Sequence, residues 1–443
     1  MVGSTGVSIP VSRVPRGQGP SAHGSNSDVA LSNANEYAYL VPISIGGQDF
    51  NVLLDTGSSD LWVVSSNCTD TDCQKIHTYN SSEPSPLSLS GESFHLKYLI
   101  GSVTGNVGTD TVTLGPYEIS SQVLALANST EGLDLSGTGY SGIMGLNFPV
   151  EASIPDTSGR TLIENVFASL NESDRYFAFK LGRNETGSSF TVGQLDPAYA
   201  NATSMLTYSP VSSAGASTYN YWKLPLQSLS INSTRFDLSS SHVNGASTPI
   251  AVLDTGTTLI LGPTAEVDRF WQSVGEARRT DAGWQVRCNR AVVVGFELGD
   301  AGNQKEYVID PADVNWKEGG QDGDWCLGGV QANDGVFSGD WLLGDTFLRN
   351  VYVTHHAATS SQPPMIGLLG LTDATAAMAE FRENRGDDPA PPAQVHARAR
   401  RTDHLTNADI CGIAVASGFA FGVILTLLFH IFTRRPKQRQ GRY

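Results

Sequence analysis

Short apolar runs separated by turn residues set the pattern of this chain. Phe190-Thr-Val-Gly-Gln-Leu-Asp-Pro197 is representative. Runs of that length, bounded by Gly, Pro, Asn, Asp and Ser, predict strands. Apolar positions recur at helical spacing only in short stretches, at 161–170 and 263–274 and more weakly at 371–380. The body of the chain is therefore expected to be mainly β. One stretch breaks the pattern. Residues 410–432 form a 23-residue apolar run whose only ionisable side chains are Cys411 and His430. A helix of about 20 residues crosses a bilayer core, so a transmembrane helix is predicted there. Arg434, Arg435 and Lys437 follow it, and such a cluster marks the cytoplasmic side. The preceding residues are then extracellular or lumenal, at a cell surface or in a vacuole-like compartment. A glycolipid-anchor signal is disfavoured, because such signals end in their apolar tail, whereas 11 polar and basic residues continue here.

Two apolar runs end in the same motif. Asn51-Val-Leu-Leu-Asp55-Thr56-Gly57-Ser58-Ser59 lies early, and Ile250-Ala-Val-Leu-Asp254-Thr255-Gly256-Thr257-Thr258 lies past the middle. A second landmark repeats with them, Ile143-Met144-Gly145 in the first half and Leu342-Leu343-Gly344 in the second. Each Gly follows its motif Asp by 90 residues. Matched spacing between paired landmarks indicates an internal duplication. It implies two carboxylates brought together, and such a pair does acid and base work in one protonation state because the two cannot easily both ionise.

With these motifs the chain resembles the pepsin-like aspartic proteases, the two-lobed eukaryotic type with fungal members, from about Tyr37 to Gly370. Further matches are Asp60-Leu61-Trp62-Val63, the segment from Phe94 to Gly105, and Trp341-Leu342-Leu343-Gly344-Asp345-Thr346-Phe347. The resemblance implies a two-lobed β fold with the active-site cleft between lobes, and cleavage of protein or peptide substrates at acidic pH without a cofactor. It implies Asp55 and Asp254 as the acid–base pair, acting on water directly. Thr56 and Thr255 would tie the two loops together, Gly57 and Gly256 would allow close backbone approach, and Ser58 and Thr257 would hold the outer carboxylate oxygens. Tyr98 matches a flap tyrosine held by Trp62, with Gly101 and Ser102 in the same flap. The flap tip departs from the family pattern: Leu99-Ile100 stands where Gly-Thr is usual. A second departure is Val351-Tyr352-Val353-Thr354-His355-His356, where the family often has Phe-Asp. Sensitivity to pepstatin-type inhibitors and a monomeric state are expected.

The expected organisation is a disordered segment at 1–35, lobes at 36–208 and 209–370, a stalk at 371–409, the membrane helix at 410–432 and a basic tail at 433–443. Residues 1–35 lack the apolar core of a signal peptide, read here as a chain beginning downstream of its leader. The net charge is −16, and the five basic residues of 410–443, with no acid among them, leave −21 for the rest. A surface so acidic repels phosphates, which excludes a nucleic-acid role. The simplest arrangement of the five cysteines is two disulfides, Cys68–Cys73 and Cys288–Cys326, with Cys411 free; buried thiols in a reducing compartment are the alternative. The resemblance implies the same two bonds. No metal-ligand spacing occurs. Seven glycosylation acceptors, Asn67, Asn80, Asn128, Asn171, Asn184, Asn201 and Asn232, fit passage through the secretory pathway. Two other functions compete with this one. An inactive binding or inhibitor protein on the same fold would usually lose a motif Asp or the flap Tyr. A phosphate loop at Asp254-Thr-Gly-Thr-Thr258 would need alternating strands and long helices.

Overall fold

The computed structural model describes residues 6–15, 37–183, 187–216, 218–336 and 338–388. The segment 410–432, Cys411, Asn184 and the tail 433–443 lie outside the described residues. Among those described, no helix is long and apolar enough to cross a membrane.

Strands dominate, as the short apolar runs predict. In the first half, β1 (Val7–Ile9) and β2 (Ser12–Pro15) precede β3 (Tyr37–Ile45), β4 (Gln48–Asp55), β5 (Leu61–Val64), β6 (Ser88–Lys97), β7 (Ser102–Leu114), β8 (Tyr117–Glu131) and β9 (Gly142–Gly145). They form an eight-stranded sheet in the order β2-β3-β4-β9-β5-β8-β7-β6, with β1 placed elsewhere. The second half repeats its central part. Ile250–Leu253 runs parallel to Trp341–Leu343, and Ile260–Gly262 runs antiparallel to that strand. In the first half β4 is parallel to β9, and β5 antiparallel to it. The duplicated landmarks are thus duplicated strand pairings.

A six-stranded antiparallel sheet draws on both halves, in the order Val7–Ile9, Ser189–Val192, Tyr176–Lys180, Val351–His356, Met365–Gly370, Thr207–Pro210. Its face carries an aromatic stack. His355 lies against Phe177 at 4.7 Å, Phe179 at 5.4 Å and Trp222 at 4.7 Å between ring centroids. One continuous core containing Tyr39, Phe177, Trp222 and Trp341 spans the two halves. Full burial of such side chains contributes roughly 1.5–3 kcal/mol each.

The short helices fall where apolar spacing places them. Leu162–Ala168 opens with a capping box between Thr161 and Glu164, which satisfies two of the orphan donors at a helix start. Thr264–Val274 buries Val267, Phe270, Trp271 and Val274. Two expectations are corrected. The segment 1–35 is not disordered throughout: β1 pairs with Ser189–Val192 and β2 with β3. These strands are short and lie in a polar segment, and their pairing comes from distant partners that local composition does not reveal. The stretch expected to begin a stalk at 371 also folds back. Ala374–Arg385 is a helix that buries Ala377 and Phe381 at i and i+4. Arg385 Nη1 donates to the Asn315 carbonyl at 2.6 Å, and Asp388 pairs with Arg290 at 3.3 Å. Any stalk therefore begins after 388.

Both disulfides form, Cys68–Cys73 and Cys288–Cys326. Of the glycosylation acceptors, Asn67, Asn171, Asn201 and Asn232 are exposed, and Asn80 and Asn128 are half-buried.

Candidate active site

Each motif follows a strand directly. Asp55 is the last residue of β4, opposite Gly145 of β9. Asp254 follows the strand Ile250–Leu253, and its N–H donates to the Leu343 carbonyl at 3.1 Å. The two strand ends meet where the halves join, and the chain turns sharply after each Asp.

Hydrogen bonds then hold the two turns face to face. Thr56 Oγ1 donates to the Leu253 carbonyl at 3.0 Å and accepts from the Thr255 N–H at 3.1 Å. Thr255 Oγ1 donates to the Leu54 carbonyl at 2.6 Å and accepts from the Thr56 N–H at 3.0 Å. Each threonine thus closes a ring of bonds on the other half's backbone. Asp55 Oδ1 accepts from the Gly57 N–H at 2.8 Å, and Oδ2 accepts from Ser58 Oγ at 2.5 Å. Asp254 repeats this with Gly256 and Thr257, both at 2.8 Å. The two glycines sit between the carboxylates. A Cβ on Gly57 would lie 2.6 Å from Asp254 Oδ1, and one on Gly256 would collide with Asp55 Oδ1.

Two buried acids in such proximity hold on to protons. Burial first, and then the Asp254 charge, push Asp55 up to about 7, while its bonds from Ser58 and Gly57 act the other way. Burial also raises Asp254, opposed by Thr257 and Gly256. Desolvation disfavours the charged form, and a neighbouring like charge disfavours it further. The pair therefore retains one shared proton through mildly acidic pH and titrates as a unit.

A cleft of about 540 Å³ opens over the pair. A family model described as eukaryotic aspartyl protease matches residues 38–362. The chain belongs to the eukaryotic aspartyl protease family. Among similar proteins, major aspartyl peptidase 1 of Cryptococcus neoformans var. grubii is 30% identical over 80% of this chain and 72% of its own length. Embryonic pepsinogen of Gallus gallus is 30% identical, over 73% of this chain and 78% of its own. Pepsin A of Sus scrofa is 28% identical, over 77% and 84%. The protein is an aspartic-type endopeptidase.

In this aspartyl protease the β6–β7 hairpin forms one wall of the cleft. Trp62 Nε1 donates to Tyr98 OH at 2.7 Å, and Lys97, Tyr98, Leu99 and Ile100 line the opening. Gly101 and Ser102 do not line it. Gly101 adopts φ +83°, where a Cβ would strike the Glu131 carbonyl, so its part is to make the turn; Ser102 begins β7, paired with Lys97. Ile100 reaches the opposite wall and packs on an apolar cluster of the second half that includes Leu261, Val336 and Leu342. Sequence reasoning missed Tyr140, Glu151 and Tyr221 of the lining. Glu151 lies six residues past the Gly145 landmark, and that proximity was the one signal available.

Proposed function

We propose that Asp55 and Asp254 together hydrolyse peptide bonds of protein substrates in acid. The observation that carries this is the reciprocal frame around them: each carboxylate is fixed by its own Gly and hydroxyl residue, and each glycine leaves room for the other carboxylate. In the singly protonated pair, the ionised Asp takes a proton from an attacking water. The protonated Asp donates to the carbonyl oxygen as the tetrahedral adduct forms. Collapse of the adduct breaks the C–N bond, and a proton passes to the amine that leaves. Tyr98, held by Trp62, closes the flap over the peptide and limits bulk water.

The membrane and secretory readings stand on sequence: the apolar run 410–432 with its basic flank supports a single-pass anchor with the protease lumenal or extracellular, and the asparagine acceptors support glycosylation. We take the enzyme as a monomer that pepstatin-type compounds inhibit.

The test is cleavage of an unfolded protein by the full chain between about pH 3 and 7, with and without pepstatin. Acid-dependent cleavage, blocked by pepstatin and lowered at least roughly 10³-fold in Asp254→Asn, is expected. A folded, disulfide-bonded protein inert at every pH would overturn the reading. Release of the protein from membranes by alkaline carbonate, without detergent, would remove the anchor.

A further inference from the structure

One cleft-lining side chain carries a charge that the mechanism does not use. Glu151 ends the short turn Pro149–Glu151 and shares the cleft lining with Gly57, Ser58, Asp254 and Tyr221. Tyr221 OH donates to Glu151 Oε2 at 3.0 Å. Burial and the charge of Glu151 raise the Tyr221 phenol most, and the charges of Asp254 and Asp55 add to the effect. The tyrosine therefore bonds this acid and shares the cleft with the aspartate pair.

The position of Glu151 is built. Ser59 Oγ donates to the Phe148 carbonyl at 2.7 Å on one side of the turn. Asp60 accepts from the Ser153 N–H at 2.7 Å and the Ile154 N–H at 3.0 Å on the other. Both anchors directly follow Ser58, so the turn is fastened to the same loop that holds Asp55. Phe148 packs on Trp222 at 4.3 Å, and Trp222 Nε1 donates to the Leu146 carbonyl at 2.9 Å, which fixes the neighbour of Tyr221 as well. Placement of this kind is what a specificity pocket needs.

The charge is not spent inside the protein. Among the described residues Glu151 makes no ion pair, and Oε1 has no protein donor. Lys223 is close enough to feel it, but the Lys223 ammonium donates to the Ala214 carbonyl at 2.8 Å. Lys97 lines the same cleft from the flap strand and forms no ion pair with Glu151. The rest of the wall mixes apolar side chains, among them Leu53, Leu133 and Ile143, with the uncharged hydroxyls of Ser153 and Ser338.

We infer that Glu151 and Tyr221 form a subsite for a basic side chain of the peptide substrate, so that the enzyme selects chains carrying lysine or arginine at one position beside the scissile bond. The inference rests on the peptidase reading. A lysine ammonium or arginine guanidinium bonds the free Oε1, and the Tyr221 hydroxyl keeps the carboxylate oriented. A charge-assisted bond in a partly closed site discriminates by leaving the acid unpaired when a neutral residue arrives. The acidic surface of the chain also draws in cationic peptides.

The experiment uses the full chain and one peptide in which lysine or norleucine is walked through each position flanking the scissile bond. At one position kcat/KM should favour lysine by about 10-fold, a difference of about 1.4 kcal/mol. Glu151→Gln should collapse that ratio at that position alone, and Glu151→Lys should turn it toward a glutamate peptide. The same peptide pairs, titrated calorimetrically against Asp254→Asn, should show the ratio in Kd. If wild type cleaves nothing, the hydrolase reading fails, and the Kd ratio still decides the subsite. Equal treatment of lysine and norleucine at every position, or a preference that survives Glu151→Gln, overturns the inference.

Discussion

At the residue scale the site depends on what glycine leaves out. Gly57→Ala would set a methyl group 2.6 Å from Asp254 Oδ1. The carboxylates must then move apart, and kcat should fall at least roughly 10²-fold, since misplacement of about an ångström has that cost. Steady-state kinetics beside a thermal melt checks this: the melt should move little compared with the loss of rate. Thr255→Val is the complementary case. It strands the Leu54 carbonyl and the Thr56 N–H in a buried site, so unfolding in denaturant should show a loss of about 2–4 kcal/mol. These residues were legible in the sequence because the motif is contiguous and occurs twice. Glu151 and Tyr221 were not, because they are 70 positions apart and no local pattern says that two loops share a wall.

At the element scale the flap departs from the family pattern at its tip. Leu99-Ile100 at its tip gives an exposed Leu99 and an Ile100 that bridges to the apolar cluster across the cleft. That contact ties the flap tip to the second half across the cleft. Ile100→Ser should speed association of a pepstatin-type inhibitor several-fold while leaving thermal stability nearly unchanged, as read by stopped-flow fluorescence and a melt. The elements themselves were largely readable. Apolar runs ending at Asp55 and Asp254 became central strands, and helical spacing at 161–170 and 263–274 became helices. The strands Val7–Ile9 and Ser12–Pro15 were missed because a strand of three or four residues within a polar segment is specified by its partner. Docking of the helix Ala374–Arg385 was missed because one Ala and one Phe make a narrow stripe.

At the scale of the whole molecule, two sets of buried groups pull stability in opposite directions with pH. Asp55 binds its proton more tightly folded, about 7 against an ordinary 3.8. Its contribution is present at low pH and is lost as pH rises from 3.8 toward 7. The histidines of the sheet shared by both halves act oppositely. Burial lowers His356 from 6.5 to about 4. His355 is driven well below 6.5 by burial first and by His356 second, with both ring nitrogens lacking a partner among the described residues. Their contribution is present above pH 6.5 and is lost as pH falls through the folded values; for His356 the difference is worth about 3 kcal/mol. His355→Phe keeps the stack against Phe177 and Phe179 and removes one titrating group. Its melting temperature should rise at about pH 4 by more than it does near pH 7, measured by calorimetry across both conditions. An equal shift at both would mean that packing, not protonation, is what His355 contributes.

The reciprocal threonines set a limit of a different kind. A gene fragment encoding either half specifies an aspartate, its glycine and its hydroxyl residue, but not the hydroxyl that closes the ring of bonds from the other side. Neither fragment alone supplies the pair of Asp55 and Asp254 or the cross-half bonds of Thr56 and Thr255. Two fragments expressed together could, with activity following the product of their concentrations. The duplication visible in the sequence is therefore no longer two copies of a function: it is one function with indivisible inheritance.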